Sequence, residues 1–311
     1  MLQRIVKTIV GVATSENLLD YLCARFTYHS PQLWRELLGE GRIILDGIAA
    51  VGDESLHQGM VIEYMPRTIE EPEVSFDVKL LYQDDEYVVI DKPGNLPCHP
   101  AGCFFNNTLW AALKQGMVQD IAPMDEIHFV SRLDRETSGI VLVARTAKSA
   151  SRATKLLHAS DASKSYSVLV EGDFPNQLMA DGWLYTAPDA LVSKKRTFSH
   201  EKPENKIRAE SATTEFQCIA RGNGMSLLKA TLGTGRTHQI RATLSSLGFP
   251  VVGDKIYGVD ETIFLRFLKH SMTSEDIIRL RLPRQALHAT DLAFGKYRFH
   301  SESGFQLYLD K

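Results

Sequence analysis

The stretch Phe129–Arg145 constrains this chain most, because it joins two segments of opposite character with no spacer between them. Ile140 to Val143 is continuously apolar and mostly β-branched, the pattern of a strand covered on both faces. Ser131 to Gly139 carries two arginines and two carboxylates in nine positions. Gly139 at the junction predicts tight backbone geometry that a side chain would block. A charged loop fixed to a core strand is a place where a rigid scaffold can present chemistry. The same composition also fits an ordinary polar turn with internal ion pairs.

A length of 311 residues suggests two domains, and 44% hydrophobic with 23% charged residues fits a globular protein with a real core. No apolar run approaches the roughly 18 residues that a membrane helix needs. Met1 to Lys7 shows no secretory pattern, so a cytoplasmic protein with no membrane partner is expected. Four scattered cysteines argue against a disulfide framework. Cys98, His99 and Cys103 lie close together, but no fourth ligand pattern follows, so ordinary thiols are expected there and no metal.

A net charge of −3 speaks against a nucleic-acid partner until its distribution is considered. Residues 130–170 hold seven basic side chains against three acidic ones, and residues 191–210 hold six against three. Phosphate binding follows local potential more than the whole-chain sum.

In chain order, Ser15 is expected to cap a helix over Glu16–Phe26, and a second helix spans Pro31 to Gly39. Strands follow at Arg42–Gly47 and Met60–Met65. This outline resembles the small RNA-binding module of ribosomal protein S-four, although residues 1–70 hold six basic and nine acidic side chains. Arg67 to Glu73 reads as a linker, followed by a hairpin of Lys79–Tyr82 and Tyr87–Asp91. Asp91 to Pro100 is a loop stiffened by three prolines, suited to walling a cleft. Helices are expected at Thr108–Gly116 and Ala147–His158, with a strand over Lys164–Gly172 that puts Tyr166, Val168 and Val170 on one face. Residues 191–210 read as an irregular polar excursion, and Ser211–Ile219 and Met225–Leu232 as strands.

A second concentrated stretch, Leu232 to Arg241, places two glycines before a helix with Ile240, Leu244 and Leu247 on its apolar face. His238 and Arg241 are three apart and share a face near the start of that helix. The glycine spacing and lysine of a nucleotide-phosphate loop are absent. A helix near Thr262–His270 and strands at Ala286–Phe294 and Tyr297–Leu309 complete the chain, in a pattern that argues for an antiparallel sheet.

Ser131-Arg132-Leu133-Asp134-Arg135-Glu136-Thr137-Ser138-Gly139 resembles the Arg-Leu-Asp…Thr-Ser-Gly motif of the RluA-type pseudouridine synthases. Asp91-Lys92-Pro93 with His99-Pro100, Lys164-Ser165-Tyr166, Gly235 to Arg241, and Gly248 to Tyr257 with Leu287-His288-Ala289 agree in order. Ser131 stands where the family usually has histidine, and Asp260 to Arg281 matches less well. The resemblance implies an α+β fold: a catalytic domain over 71–311 with a mixed, mainly antiparallel sheet and a central cleft, plus a small N-terminal α+β module over 1–70. It implies an isomerase that detaches uracil from ribose through nitrogen and rejoins it through carbon, without cofactor or metal. Asp134 would be the essential carboxylate, as nucleophile or base, with Arg241 pairing it and Tyr166 stacking on the target uracil. Arg132 would enter the space left by the flipped nucleotide. Arg135, Arg236, His238 and Gln239 would contact the RNA or shape the loop. The partner is then ribosomal or transfer RNA, and the protein a monomer. A non-catalytic RNA-binding protein and a two-carboxylate hydrolase using Asp134 and Glu136 are the competing classes.

Overall fold

A computed structural model describes residues 2, 4–12, 16–67, 70–159, 161–204 and 207–309. The chain separates into two compact units, Met1–Pro72 and Glu73–Lys311. In the first, helices Leu18–Arg25 and Pro31–Gly39 pack Leu18, Leu22, Trp34, Leu37 and Leu38 against a four-stranded sheet. Pro31 opens the second helix, as its sequence predicts, and Ser30 caps it by accepting from the Leu33 N–H. The first helix is capped by Asn17, whose side chain accepts from the Asp20 N–H. Ser15, the expected cap, lies outside the described residues.

The larger unit is an α+β domain built on one eleven-stranded mixed sheet. Its main path runs Arg196–Ser199, Gln177–Thr186, Ala209–Gly222, Met225–Leu232, Ser163–Glu171, Leu287–Phe294, Ser138–Ala144, Tyr87–Lys92 and Lys79–Gln83. Every pairing along it is antiparallel except the seam between Ser138–Ala144 and Leu287–Phe294, which is parallel over two residue pairs.

Ser138–Ala144 is buried at all seven positions. Val141 and Val143 pack with Val88, Ile90, Leu109 and Leu113 on one face. Ile140, Leu142 and Ala144 pack with Val89, Ala153 and Phe294 on the other. Each of the larger aliphatics contributes roughly 1.5–3 kcal/mol by burial, so the loop before this strand stands on the most firmly held part of the sheet. Gly139 sits at the parallel seam with φ +108°, where a Cβ would lie 2.3 Å from the Ala289 carbonyl oxygen. Only glycine fits that approach.

Three expectations change. Residues 191–210 are not wholly irregular, because Arg196–Ser199 pairs with Gln177–Thr186. That latter strand passes through Asp181-Gly182, where a Cβ on Gly182 would meet the Ser199 carbonyl oxygen at 2.3 Å. The tail contains an unforeseen helix, Ser274–Leu280, started by a capping box between Thr273 and Asp276. The expected strand Tyr297–Leu309 stops at His300 and ends in a short 3-10 turn over Phe305–Tyr308.

Candidate active site

The loop before the buried strand is held at almost every residue. The Ser131 hydroxyl accepts from the Leu142 N–H at 3.0 Å. The Arg135 carbonyl accepts from the Leu96 N–H at 3.0 Å and from the Lys92 ammonium at 3.2 Å. Glu136 pairs with Lys255 at 2.8 Å, and Gln285 donates to the Thr137 hydroxyl. The Ser138 hydroxyl meets Nδ1 of His288 at 2.9 Å. Lys92 is fully buried and also donates to the Pro93 and Leu96 carbonyls, tying the proline-stiffened loop to this one. Burial lowers its ammonium to about 8.

Asp134 projects from this scaffold with 34% of its side chain open. Nη1 of Arg241 donates to its carboxylate at 2.6 Å, and Nε2 of His238 stands 3.7 Å away. Behind it, Arg241 makes a bidentate pair with buried Asp254 at 2.6 and 2.9 Å. Asp254 also accepts the Ile256 and Tyr257 N–H groups, and the Tyr257 ring lies 4.9 Å from the guanidinium. One buried cation is therefore shared between a structural carboxylate and an open one. Burial opposes ionisation of Asp134, but Arg241 and His238 overcome it and hold the carboxyl below its usual range. Burial and Arg241 in turn hold the His238 imidazole below its usual value.

His238 caps helix Gln239–Ser246 in the left-handed region, φ +57°, an uncommon conformation for a non-glycine residue. Its Nδ1 is 2.8 Å from the Tyr257 hydroxyl, which already accepts from the Arg196 N–H. The simplest assignment has Tyr257 donating to Nδ1, leaving Nε2–H toward Asp134. Tyr166 lines a small cavity of about 80 Å³ together with Asp134, Arg132, Arg236, Leu232 and Leu287. Burial, with the Asp134 charge, pushes its phenol up to about 12, so Tyr166 is a neutral aromatic at physiological pH. A larger cleft of about 390 Å³ shares Leu133, Asp134, His238 and Arg241 with that cavity as a common wall.

The sequence profile of a family described as RNA pseudouridylate synthase matches residues 86–246. The chain belongs to that family. It is 27% identical over 290 residues to the mitochondrial tRNA pseudouridine(32) synthase of Saccharomyces cerevisiae, covering 93% of this chain and 60% of the yeast protein. It is 29% identical over 284 residues to ribosomal large subunit pseudouridine synthase D of Pseudomonas aeruginosa, covering 87% and 82%. Its fold is similar to that of human RNA pseudouridylate synthase domain containing 1, with a TM-score of 0.59, 21% identity, and coverage of 78% and 89%. Family membership supports an isomerase acting on uridine in RNA over a non-catalytic RNA binder or a two-carboxylate hydrolase. Glu136 is in any case tied to Lys255.

The predicted site residues fall into two groups. Asp134, Arg241, Tyr166, Arg132, Arg236 and His238 line one cavity, and Arg132 is exposed, with Nη1 3.5 Å from His99. Arg135 lines the larger cleft with its guanidinium 5.4 Å from both the Phe104 and Phe267 rings. Gln239 lines the smaller cavity with the first group but is buried, donates to the Thr213 carbonyl and the Thr214 hydroxyl, and accepts from Thr234 and the Arg236 N–H. All four of its hydrogen-bonding positions are used inside the protein, so it shapes the loop and has none left for RNA. Ser131 likewise uses its hydroxyl to anchor the loop base. Asp254 and Tyr257 were missed as site residues, although both lie in the Gly248–Tyr257 motif.

Among the described residues, no group of three or more His, Cys, Asp or Glu side chains is placed to hold a metal, and Cys98 lies 3.4 Å from the Leu133 carbonyl. Among them, too, no helix is long and apolar enough to cross a membrane.

Proposed function

We propose that this chain converts uridine to pseudouridine in ribosomal or transfer RNA, with Asp134 as the essential carboxylate. The observation that carries the reading is the ionised Asp134, paired with Arg241 at the wall of a cavity that also holds Tyr166. A carboxylate in a partly dry site needs a fixed cation to stay charged and reactive, and Arg241 is itself fixed by Asp254. As nucleophile, Asp134 would bond to the sugar or the base. As base, it would take a proton during the rearrangement. Tyr166 offers the target uracil a neutral aromatic face, and exposed Arg132 stands at the rim where a vacated base position would need filling.

The relatives named for a mitochondrial transfer RNA and for the large ribosomal subunit supply the two RNA classes. The chain spans 60% of the yeast relative's length, so the choice between those classes rests on experiment. Residues 1–70 are proposed as an accessory module of the ribosomal protein S-four type, on the support of two short helices against a small sheet. The working form is proposed to be a cytoplasmic monomer, which size-exclusion chromatography and cell fractionation would check. The deciding experiment incubates the protein with transcribed ribosomal and transfer RNA and maps pseudouridine at single-residue resolution. Conversion at discrete uridines supports the reading. Release of free uracil, or retention of RNA with no conversion, overturns it.

A further inference from the structure

The segment Asp260–Arg281 matches the family pattern less well, and it lies beyond the residues that the family profile matches. Its first helix, Thr262–Leu268, nevertheless stands at the active site, because Phe264 and Phe267 line the larger cleft that Asp134 walls from the other cavity. Both rings are only partly buried, with centroids 6.5 Å apart. Phe104 joins them from the loop that follows the proline-stiffened stretch.

Cations accompany the rings. The Arg135 guanidinium lies between Phe104 and Phe267, and Lys255 is 5.1 Å from the Phe267 ring. Lys194 is exposed at the cleft edge, whereas its neighbour Lys195 is committed to Glu261 at 2.6 Å. The wall is also braced. Arg266 holds Asp276 through two bonds of 2.7 and 2.6 Å, and Arg279 reaches Asp260 at 3.0 Å. Aromatic faces beside basic side chains suit a nucleobase and its phosphate, since stacking tolerates any base and the cations meet the backbone. The volume, about 390 Å³, falls in the usual range of roughly 300–1,000 Å³ for ligand sites.

We propose that Phe264, Phe267 and Phe104, with Arg135 and Lys194, form a subsite for the nucleotide next to the target uridine. The inference rests on the uridine-isomerising reading: with the target base beside Tyr166, the shared wall of Asp134, His238 and Arg241 puts the neighbouring nucleotide in the larger cleft. The subsite selects sites by requiring that a flanking base leave its own stack. Two of its three rings come from the segment Asp260–Arg281, and Arg135 comes from the motif loop.

The test uses synthetic RNA spanning a mapped target uridine, with an abasic ribose placed in turn on each side of it. The native protein should lose roughly tenfold in kcat/KM on one of the two abasic substrates, the scale of one base–aromatic stack. Phe264→Leu, which keeps apolar volume without a stacking face, should lose about the same factor on the intact RNA and little more on that abasic RNA. Lys194→Ala, at an exposed position, should raise KM with kcat unchanged and flatten the salt dependence. Indifference of the native protein to both abasic substrates would overturn the subsite. So would losses that simply multiply for Phe264→Leu, or an unaltered KM and salt slope for Lys194→Ala. Failure of the native protein to convert any uridine would instead overturn the activity reading and the subsite with it.

Discussion

Arginine–carboxylate pairs occur in both units of this molecule, and they do different things. In the N-terminal unit, Arg67 pairs with Glu36 and Glu40, and Arg42 with Glu40, all at the surface. Exposed pairs of this kind add little stability because water and salt screen them. They also commit to internal acids two of the cations that a phosphate-binding face would use. In the larger unit, Arg241 is buried between Asp254 and Asp134. There the same chemistry holds a carboxylate charged where burial alone would neutralise it. The difference teaches that the partner matters less than the place: an ion pair becomes chemical machinery when the fold removes water from one side of it.

The largest effect expected breaks the buried side of this comparison. Asp134→Asn should cut conversion by at least roughly a hundredfold, the floor for a lost general base, and to background if Asp134 is the nucleophile. RNA affinity should change little, and substantial turnover by this variant would remove Asp134 from its role. Asp254→Asn leaves Arg241 with one anion in place of two. Breaking a buried pair of this kind costs about 3–5 kcal/mol, readable in denaturant unfolding. The accompanying loss should fall mainly on kcat, because Arg241 would no longer be aimed at Asp134. Tyr166→Ala should lose about 1–3 kcal/mol of base stacking, roughly 5- to 150-fold in kcat/KM, while Tyr166→Phe keeps most of it.

The pH dependence sharpens the same point. Asp134 and Asp254 both have folded pKa values below those of the unfolded chain. Their stabilisation is therefore complete above the ordinary carboxylate range and is lost as pH falls through the lowered values. Activity should stay flat from about pH 8 to about pH 6, since Asp134 remains charged there. A pH–rate profile with a carboxylate limb inside that interval would contradict the assignment. The smallest effect belongs to the exposed side: Arg67→Ala should leave the melting temperature and RNA affinity unchanged within error. A clear loss of either would mean that the two arginine clusters are more alike than their burial indicates.

The features legible in sequence were those with a local signature. The helix Pro31–Gly39 followed from a proline near its start and a glycine near its end. The doubly buried strand after Gly139 followed from an unbroken apolar, mostly β-branched run, and Gly139 itself from its position between loop and strand. The strand Gln177–Thr186 was overlooked because it stays regular through an Asp-Gly pair that locally reads as a turn. The helix Ser274–Leu280 was overlooked although its capping box is a local signal. Within the proposed site, Asp134, Tyr166 and Arg241 were named through motif order, and Gln239 was named as an RNA contact or a shaper of the loop; its side chain turns inward.

By itself, then, the sequence determined many of the strands and helices, which strand is buried on both faces, and which turn carries the carboxylate proposed to react. Periodicity, capping and glycine placement act over a few residues, so a few residues suffice to reveal them. The resemblance named Arg241 as the carboxylate's partner, but only the tertiary structure decided what holds that partner in place. Arg241 comes to Asp134 from 107 positions away and is held there by Asp254, which no local pattern ties to either. Phe264 and Phe267 reach the same cleft from the helix Thr262–Leu268. Convergence of this kind depends on the register of distant strands and on which side chains the fold leaves half in water.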